Sequence, residues 1–251
     1  MNNKAEHKFP FIYFWIILIL IYVILFEFIF PSNKILPRPS ILLDSLNPLQ
    51  KDYHIYFNFL YSFSGIYLTI IVGYFIFILF PVYLLGLLDK FSGIIKFLAS
   101  FRYFPLLGVI AIFILWFPYS FISEYIFYLA ITFTFLISAL EKGKANVKQE
   151  YIDSIISIAG NKRKIINEII FKYCQPEIFY SIRELHIFLW SVMLVFEFVK
   201  AQSGLGSLFR SALLYNDLSI LFLLSVIIFI IIAIGDYIIR LIHKKSFHWE
   251  S

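Results

Sequence analysis

Acidic side chains within apolar segments are the first candidates for chemistry, because a carboxylate inside a membrane commonly binds an ion or a proton. Glu27, Glu124 and Glu197 each fall near one end of a long apolar run. A side chain at that position reaches the membrane surface, so we interpret all three as boundary carboxylates. No apolar run has an acidic residue near its middle, which argues against a proton-coupled carrier.

The remaining polar residues of the apolar runs predict structure more than catalysis. Asp236 and Arg240 are four residues apart and can pair on one helix face. We interpret His186 as a buried residue that forms hydrogen bonds. The segment 201–204 loosely resembles the serine motif of rhomboid-type intramembrane proteases, but the last apolar run has no histidine before His243 to activate Ser203. An intramembrane enzyme is therefore a remote alternative.

Motifs for nucleotide or metal chemistry are missing from the sequence. It contains no G-x-x-x-x-G-K-[ST] phosphate loop, no H-E-x-x-H pair and no dinucleotide-binding glycine pattern. Cys174 is the single cysteine, which excludes an intrachain disulfide. We expect no catalytic residue, no metal site and no cofactor in this chain. If ATP drives its function, another chain hydrolyses it.

Composition indicates a membrane protein. The 251 residues are 61% hydrophobic and 15% charged, whereas a soluble domain is about 25% charged. Mean hydropathy is +0.85. We predict an all-α polytopic protein with one membrane domain over 1–251. About six spans are expected, at approximately 11–30, 59–88, 97–117, 121–140, 182–199 and 218–241, with the proline-rich segment 32–58 extended along one membrane surface.

Basic residues predict the orientation of these spans. If the amino terminus is cytoplasmic, 16 of the 21 Lys and Arg residues lie on the cytoplasmic side or at its boundary. Cytoplasmic loops carry an excess of Lys and Arg, so both termini are expected inside. The net charge of +5 then reflects membrane orientation, and we expect no nucleic acid partner.

The long hydrophilic segment at about 141–175 is patterned as two amphipathic helices separated near Gly160 and Asn161. Apolar residues recur at helical spacing in each part. The first stripe is Tyr151, Ile152, Ile155, Ile156 and Ala159, and the second is Ile165, Ile166, Ile169, Ile170 and Tyr173. Such a helix lies on the membrane surface or docks into a partner.

This segment resembles the EAA loop of ABC importer permeases, in particular the nitrate, taurine and alkanesulfonate family. The matching residues are Asp153, Ser154, Ile155, Ala159, Gly160, Pro176 and the run from Ser181 to Arg183. Further matches follow in family order: Leu36 to Ser40, Arg102 to Pro105, Trp116 with Phe117, Glu197, Gly204 to Gly206, Asp217, Asp236 with Arg240, and Trp249.

The resemblance implies a type I importer permease fold in a bacterial cytoplasmic membrane. It implies a homodimer with two copies of an ATPase subunit, which bind ATP and Mg, and an external solute-binding protein. The implied ATPase-coupling residues are Glu150, Asp153, Ser154, Ile155, Ala159, Gly160, Lys172 and Pro176. By their position in the chain, the candidate path or gate residues are Arg102, Pro105, Glu197, Gly204 and Gly206.

Departures from the family pattern leave a second interpretation open. Asp153 stands for the family's leading Glu, Ser154 and Ile155 for its alanines, and Lys172 for its first loop proline. A scaffold or assembly subunit that keeps the permease fold without transport is therefore the alternative. The transported solute cannot be inferred from the sequence.

Overall fold

The computed structural model of the chain describes residues 11–31, 36–90, 93, 105–118, 121–159 and 163–247. Throughout these ranges the regular secondary structure is helical, and they contain no strand. The all-α prediction is therefore confirmed for the part of the chain that the structure describes. Residues 1–10, 32–35, 91–92, 94–104, 119–120, 160–162 and 248–251 lie outside it.

The amino-terminal helix agrees with the prediction, whereas the segment after it does not. Helix α1 (Phe11–Val23) continues as a π-helical turn over Ile24–Ile29 and stops at Phe30. The segment predicted to be extended instead forms two short helices, α2 (Pro39–Asp44) and α3 (Leu46–Lys51). Pro39 occupies the first turn of α2, where the missing N–H of proline costs nothing.

Proline also divides the predicted second span. Helix α4 (Ile55–Leu79) ends at Phe80, and α5 (Pro81–Lys90) begins at the proline. Proline disfavours helical backbone in the residue before it, and Phe80 has left the helical region with φ −123° and ψ 42°. The apolar run over 59–88 is thus two helices.

Four helices lie within the described residues from 105 to 200. They are α6 (Leu106–Trp116), α7 (Phe121–Ala145), α8 (Gln149–Ala159) and α9 (Arg163–Lys200). The second amphipathic helix and the predicted fifth span form one helix of 38 residues with Pro176 inside it. Two helices complete the chain, α10 (Leu205–Leu214) and α11 (Leu218–Ser246).

Three of the described helices are long and apolar enough to cross a membrane: Ile55–Leu79, Ile122–Ala145 and Leu218–Ser246. Shorter apolar helices cover Ile16–Ile29, Leu106–Trp116 and Leu205–Leu214. A spanning helix needs about 20 residues, so Leu106–Trp116 and Leu205–Leu214 do not reach that length by themselves. The number of six spans stays a prediction.

Helix α9 is the centre of the bundle, where it packs against α4, α5, α6, α7, α10 and α11. Leu189, Trp190 and Met193 in its second half have no exposed surface. Phe196 lies among Phe113, Phe127 and Tyr128, with ring centroids 5.3 to 6.4 Å away. Large apolar side chains on α1, α4 and α11 are exposed instead, which suits contact with lipid.

Candidate functional site

The start of α10 is held by side chains from two other helices. The backbone N–H groups of Gly204, Leu205 and Gly206 donate to Asn58 Oδ1 at 2.8 Å, Ser62 Oγ at 2.9 Å and Glu197 Oε2 at 2.9 Å. The first N–H groups of a helix have no partner within the helix. Three successive ones are satisfied here from α4 and α9, and we call this arrangement the α10 clasp.

Glu197 connects the two helices that form the α10 clasp. The Ser62 hydroxyl lies 2.8 and 2.9 Å from the two carboxylate oxygens of Glu197 and donates to them. Glu197 is 1% exposed and Ser62 is fully buried. A carboxylate near a helix N-terminus is stabilised by the helix dipole and by N–H donors. The contacts of Glu197 in this conformation are therefore structural.

Gly204 and Gly206 make room for the carboxylate. A Cβ atom on Gly204 would lie 2.0 Å from Glu197 Cδ, and one on Gly206 would lie 2.3 Å from the Leu194 carbonyl oxygen. Gly204 also has φ +90° and ψ 171°, a conformation that is essentially restricted to glycine. The close approach of this turn to α9 requires glycine at both positions.

A buried ion pair lies beside the α10 clasp. Lys200 Nζ is 2.6 Å from Glu124 Oε1, and the two side chains are 3% and 2% exposed. The Tyr61 hydroxyl donates to Glu124 Oε2 at 2.9 Å. The ion pair joins the end of α9 to the start of α7. The hydrogen bond from Tyr61 connects α4 to the same pair. A buried charge is tolerated when such partners satisfy it.

The prediction of boundary carboxylates is wrong for Glu124 and Glu197, which are both buried. Neighbouring helices cover these helix ends, so neither side chain reaches the surface. Glu27 is half-buried and accepts the backbone N–H of Ser40, at the start of α2, at 3.1 Å. Its contact fixes the end of the π-helical turn against the next helix.

The other predicted path or gate residues do not join this cluster in the described structure. Pro105 is exposed at the start of α6, and Arg102 lies outside the described residues. The Ser203 hydroxyl is buried, and the side chain that it interacts with is Tyr61. No histidine of the described residues is bonded to the serine. Glu197, Gly204 and Gly206 are the three predicted residues that the fold brings together.

The predicted coupling residues lie on a surface rather than in a pocket. Glu150, Asp153 and Ser154 are exposed on α8, and Ile155 is half-buried. Lys172 is exposed on α9, whereas Pro176 is buried inside the same helix. Helix α8 ends at Ala159, and Gly160 lies outside the described residues.

Apolar side chains of the same surface stay exposed. Tyr151 and Ile156 on α8 are 56% and 39% exposed, and Ile169 and Tyr173 on α9 are 40% and 50% exposed. The rings of Tyr151 and Tyr173 are in contact, with centroids 6.4 Å apart. The two amphipathic segments thus share one surface that combines apolar and charged side chains.

The predicted Asp236–Arg240 pair is present, and Arg183 extends it. Arg240 Nη2 is 3.1 Å from Asp236 Oδ2, and Arg183 Nη2 donates to the same oxygen at 3.2 Å. Arg183 Nε donates to the other carboxylate oxygen. His186 is buried, as predicted, and its Nε2 accepts the Trp190 indole N–H at 3.1 Å.

Some of these contacts could have been found in the sequence. Asn58 and Ser62 are two polar residues at i, i+4 in an otherwise apolar helix, so they share one face. That pattern predicts a polar contact across the helix interface. The partner of Lys200 and that of Arg183 depend on tertiary packing, and no spacing in the sequence predicts them.

The described residues define a class, an all-α protein in which three helices are long and apolar enough to span a membrane. Compared with protein-family models, with curated proteins and with solved structures, the chain matches none. Within the described ranges no group of three or more His, Cys, Asp and Glu side chains could hold a metal ion.

Proposed function

We propose that this chain is the transmembrane permease subunit of an ABC importer in a bacterial cytoplasmic membrane. In this proposal two copies form the translocation path, a separate ATPase supplies energy and an external binding protein delivers a small solute. The single observation that carries the proposal is the exposed amphipathic surface of α8 and the start of α9. It coincides with the segment that resembles the family's ATPase-coupling loop.

The physical character of that surface supports docking to a protein. Exposing apolar side chains such as Tyr151 and Tyr173 to water costs about 25 cal/mol per Å² of apolar area. Docking to a partner would remove this cost. Exposed acidic groups at Glu150 and Asp153 lie on the same short helix. Apolar anchors surrounded by charged groups are typical of a helix that seats in a partner's groove.

The connection between α8 and the membrane also supports the proposal. Helix α9 begins beside α8 and continues as one helix to Lys200, next to the α10 clasp. Force applied to the surface that α8 and α9 share is therefore carried to the bundle along α9. A permease driven by a separate ATPase needs such a connection.

The α10 clasp has a positioning role in this proposal. All of its polar atoms that reach the turn are engaged in hydrogen bonds, so Glu197 does not face a solute in this conformation. We assign Glu197, Gly204 and Gly206 to holding α10 against α4 and α9. Solute contact would require the clasp to open.

Co-purification tests the proposal directly. The tagged chain is isolated from native membranes in mild detergent, the co-purifying proteins are identified and ATPase activity is measured. We expect an ATPase with a phosphate loop, lost by the Asp153→Lys variant. Asp52→Lys is the matched control, because Asp52 is an exposed carboxylate outside α8 and α9. Charge reversal there should leave recovery unchanged.

The scaffold interpretation makes the opposite prediction. The departures at Asp153, Ser154, Ile155 and Lys172 from the family pattern favour it, because these residues would contact the ATPase. Recovery of the chain without an ATPase, in detergent that preserves other importer complexes, would support the scaffold. Equal loss of the ATPase in Asp153→Lys and Asp52→Lys would contradict a specific contact on α8.

A further inference from the structure

Two arginines share one carboxylate in a groove between α9 and α11. Asp236 accepts from Arg183 and pairs with Arg240, so the group carries more positive than negative charge. The Arg183 and Arg240 side chains are 35% and 54% exposed, whereas Asp236 is 14% exposed. Glu184 lies near Arg183, and Lys244 and Lys245 follow along α11. The basic groups still outnumber the acidic ones.

A small pocket opens between these arginines. Its volume is about 60 Å³, and it is lined by Phe179, Tyr180, Arg183, Ile239, Arg240 and His243. Drug-sized ligands occupy about 300 Å³ or more, so this pocket suits one compact group. Arg183 gives Asp236 two of its five N–H donors. Guanidinium groups with donors to spare bind phosphate oxygens in pairs.

The surroundings of the pocket favour a phosphate that carries apolar chains. Ile238, Leu241 and Ile242 on α11 are 46% to 49% exposed. Helix α11 is long and apolar enough to span a membrane, and its basic end follows these residues directly. Tyr180, which is 51% exposed, is a residue type enriched at membrane interfaces. A free phosphate ion would leave these apolar neighbours without a partner.

We propose that this groove binds the phosphate of an anionic phospholipid, with the acyl chains along the exposed apolar face of α11. Basic pockets between spanning helices bind anionic headgroups in this way. A zwitterionic headgroup adds an ammonium group, which the two arginines repel. The site is independent of the proposed transport function, since it requires only that α11 lies in the membrane.

Lipid titration of the purified full-length chain tests this site. The delipidated protein in detergent is titrated with phosphatidylglycerol and with phosphatidylcholine of the same acyl chains, and bound lipid is counted by native mass spectrometry. We expect phosphatidylglycerol to bind at least about tenfold more tightly, as befits a charge-assisted contact. Equal affinity for the two lipids would overturn the proposal.

Three variants locate the binding. Arg240→Gln should weaken phosphatidylglycerol binding at least about tenfold, while the Arg183–Asp236 contact remains to hold the groove. Lys245→Gln removes the same charge from an exposed position outside the pocket and should weaken phosphatidylglycerol binding no more than about fivefold. Tyr180→Glu places a carboxylate at the exposed rim of the pocket and should weaken phosphatidylglycerol binding as much as Arg240→Gln does. This second variant keeps the test valid if Arg240→Gln misfolds.

Two results would contradict the assignment. Equal losses in Arg240→Gln and Lys245→Gln would mean that the basic helix end attracts lipid without a defined site. Complete displacement of phosphatidylglycerol by millimolar inorganic phosphate would mean that the pocket binds a soluble anion and that the acyl chains contribute nothing.

Discussion

Gly204→Ala is the sharpest test of the α10 clasp. The substitution places a side chain on backbone with φ +90°, which costs about 1–3 kcal/mol. Its Cβ atom would lie 2.0 Å from Glu197 Cδ, and the buried carboxylate must move away. Moving it weakens a charged hydrogen bond, for a further cost of about 1.5–3 kcal/mol. We expect a loss of about 2.5–6 kcal/mol in the free energy of unfolding.

Thermal unfolding of the purified protein in detergent, followed by size-exclusion chromatography, measures this loss. For a chain of this length 1 kcal/mol corresponds to about 2–4 °C, so the midpoint should fall by about 10 °C. Gly206→Ala tests steric overlap without backbone strain. Its Cβ atom would meet the Leu194 carbonyl oxygen, but Gly206 does not have a positive φ. It should also unfold at a lower temperature than the unmodified protein.

Gly108→Ala is the control for both variants. Gly108 lies in α6 and is exposed, and a Cβ atom added there would meet no other atom within 4 Å. Alanine favours a helix over glycine by up to about 1 kcal/mol, so this variant should be unchanged or slightly more stable. A Gly204→Ala midpoint within about 2 °C of that control would refute the close approach described for this turn.

Three further variants probe buried polar groups. Glu197→Leu leaves the Gly206 N–H and the Ser62 hydroxyl without their acceptor and should cost at least about 2 kcal/mol in unfolding free energy. Glu184→Leu on the exposed face of α9 should change the same free energy by less than about 0.5 kcal/mol. Lys200→Met removes the cation paired with Glu124 and should lower the unfolding free energy by about 3–5 kcal/mol in the same thermal assay. A loss below about 1 kcal/mol would contradict a buried ion pair. Burial raises the pKa of the Cys174 thiol to about 11, so maleimide labelling at pH 7 should be at least about 100-fold slower than after unfolding. Labelling at the rate of the unfolded chain would contradict this burial.

The helices could be predicted from the sequence because their signals are local. Apolar runs of sufficient length predict α4, α7 and α11, and Pro81 explains why the second run is divided. The prolines at Pro37 and Pro39 predict an extended segment, yet it forms short helices, since proline suits the first turn of a helix as well as a loop.

The environment of the acidic residues could not be predicted in the same way. Glu124 and Glu197 lie at the ends of apolar runs, where position along the chain indicates exposure. Their burial depends in large part on α4, whose contacts with Glu124 and Glu197 span 63 and 135 residues. Lys200 illustrates the same limit, because its ion pair spans 76 residues and no local pattern encodes it.

The single helix from Arg163 to Lys200 is long enough for a small change of angle at one end to move the other end by several ångströms. At 1.5 Å per residue its 38 residues extend about 57 Å. Pro176 removes one backbone N–H hydrogen bond of this helix, at a point about 32 Å from Glu197. The helix should therefore bend most easily at this residue. A bend of about 10° there would displace Glu197 by about 5 Å, one helical pitch. That distance exceeds the 2.9 Å that separates its carboxylate from the Gly206 nitrogen, so a bend of this size would break the contact if α10 kept its place.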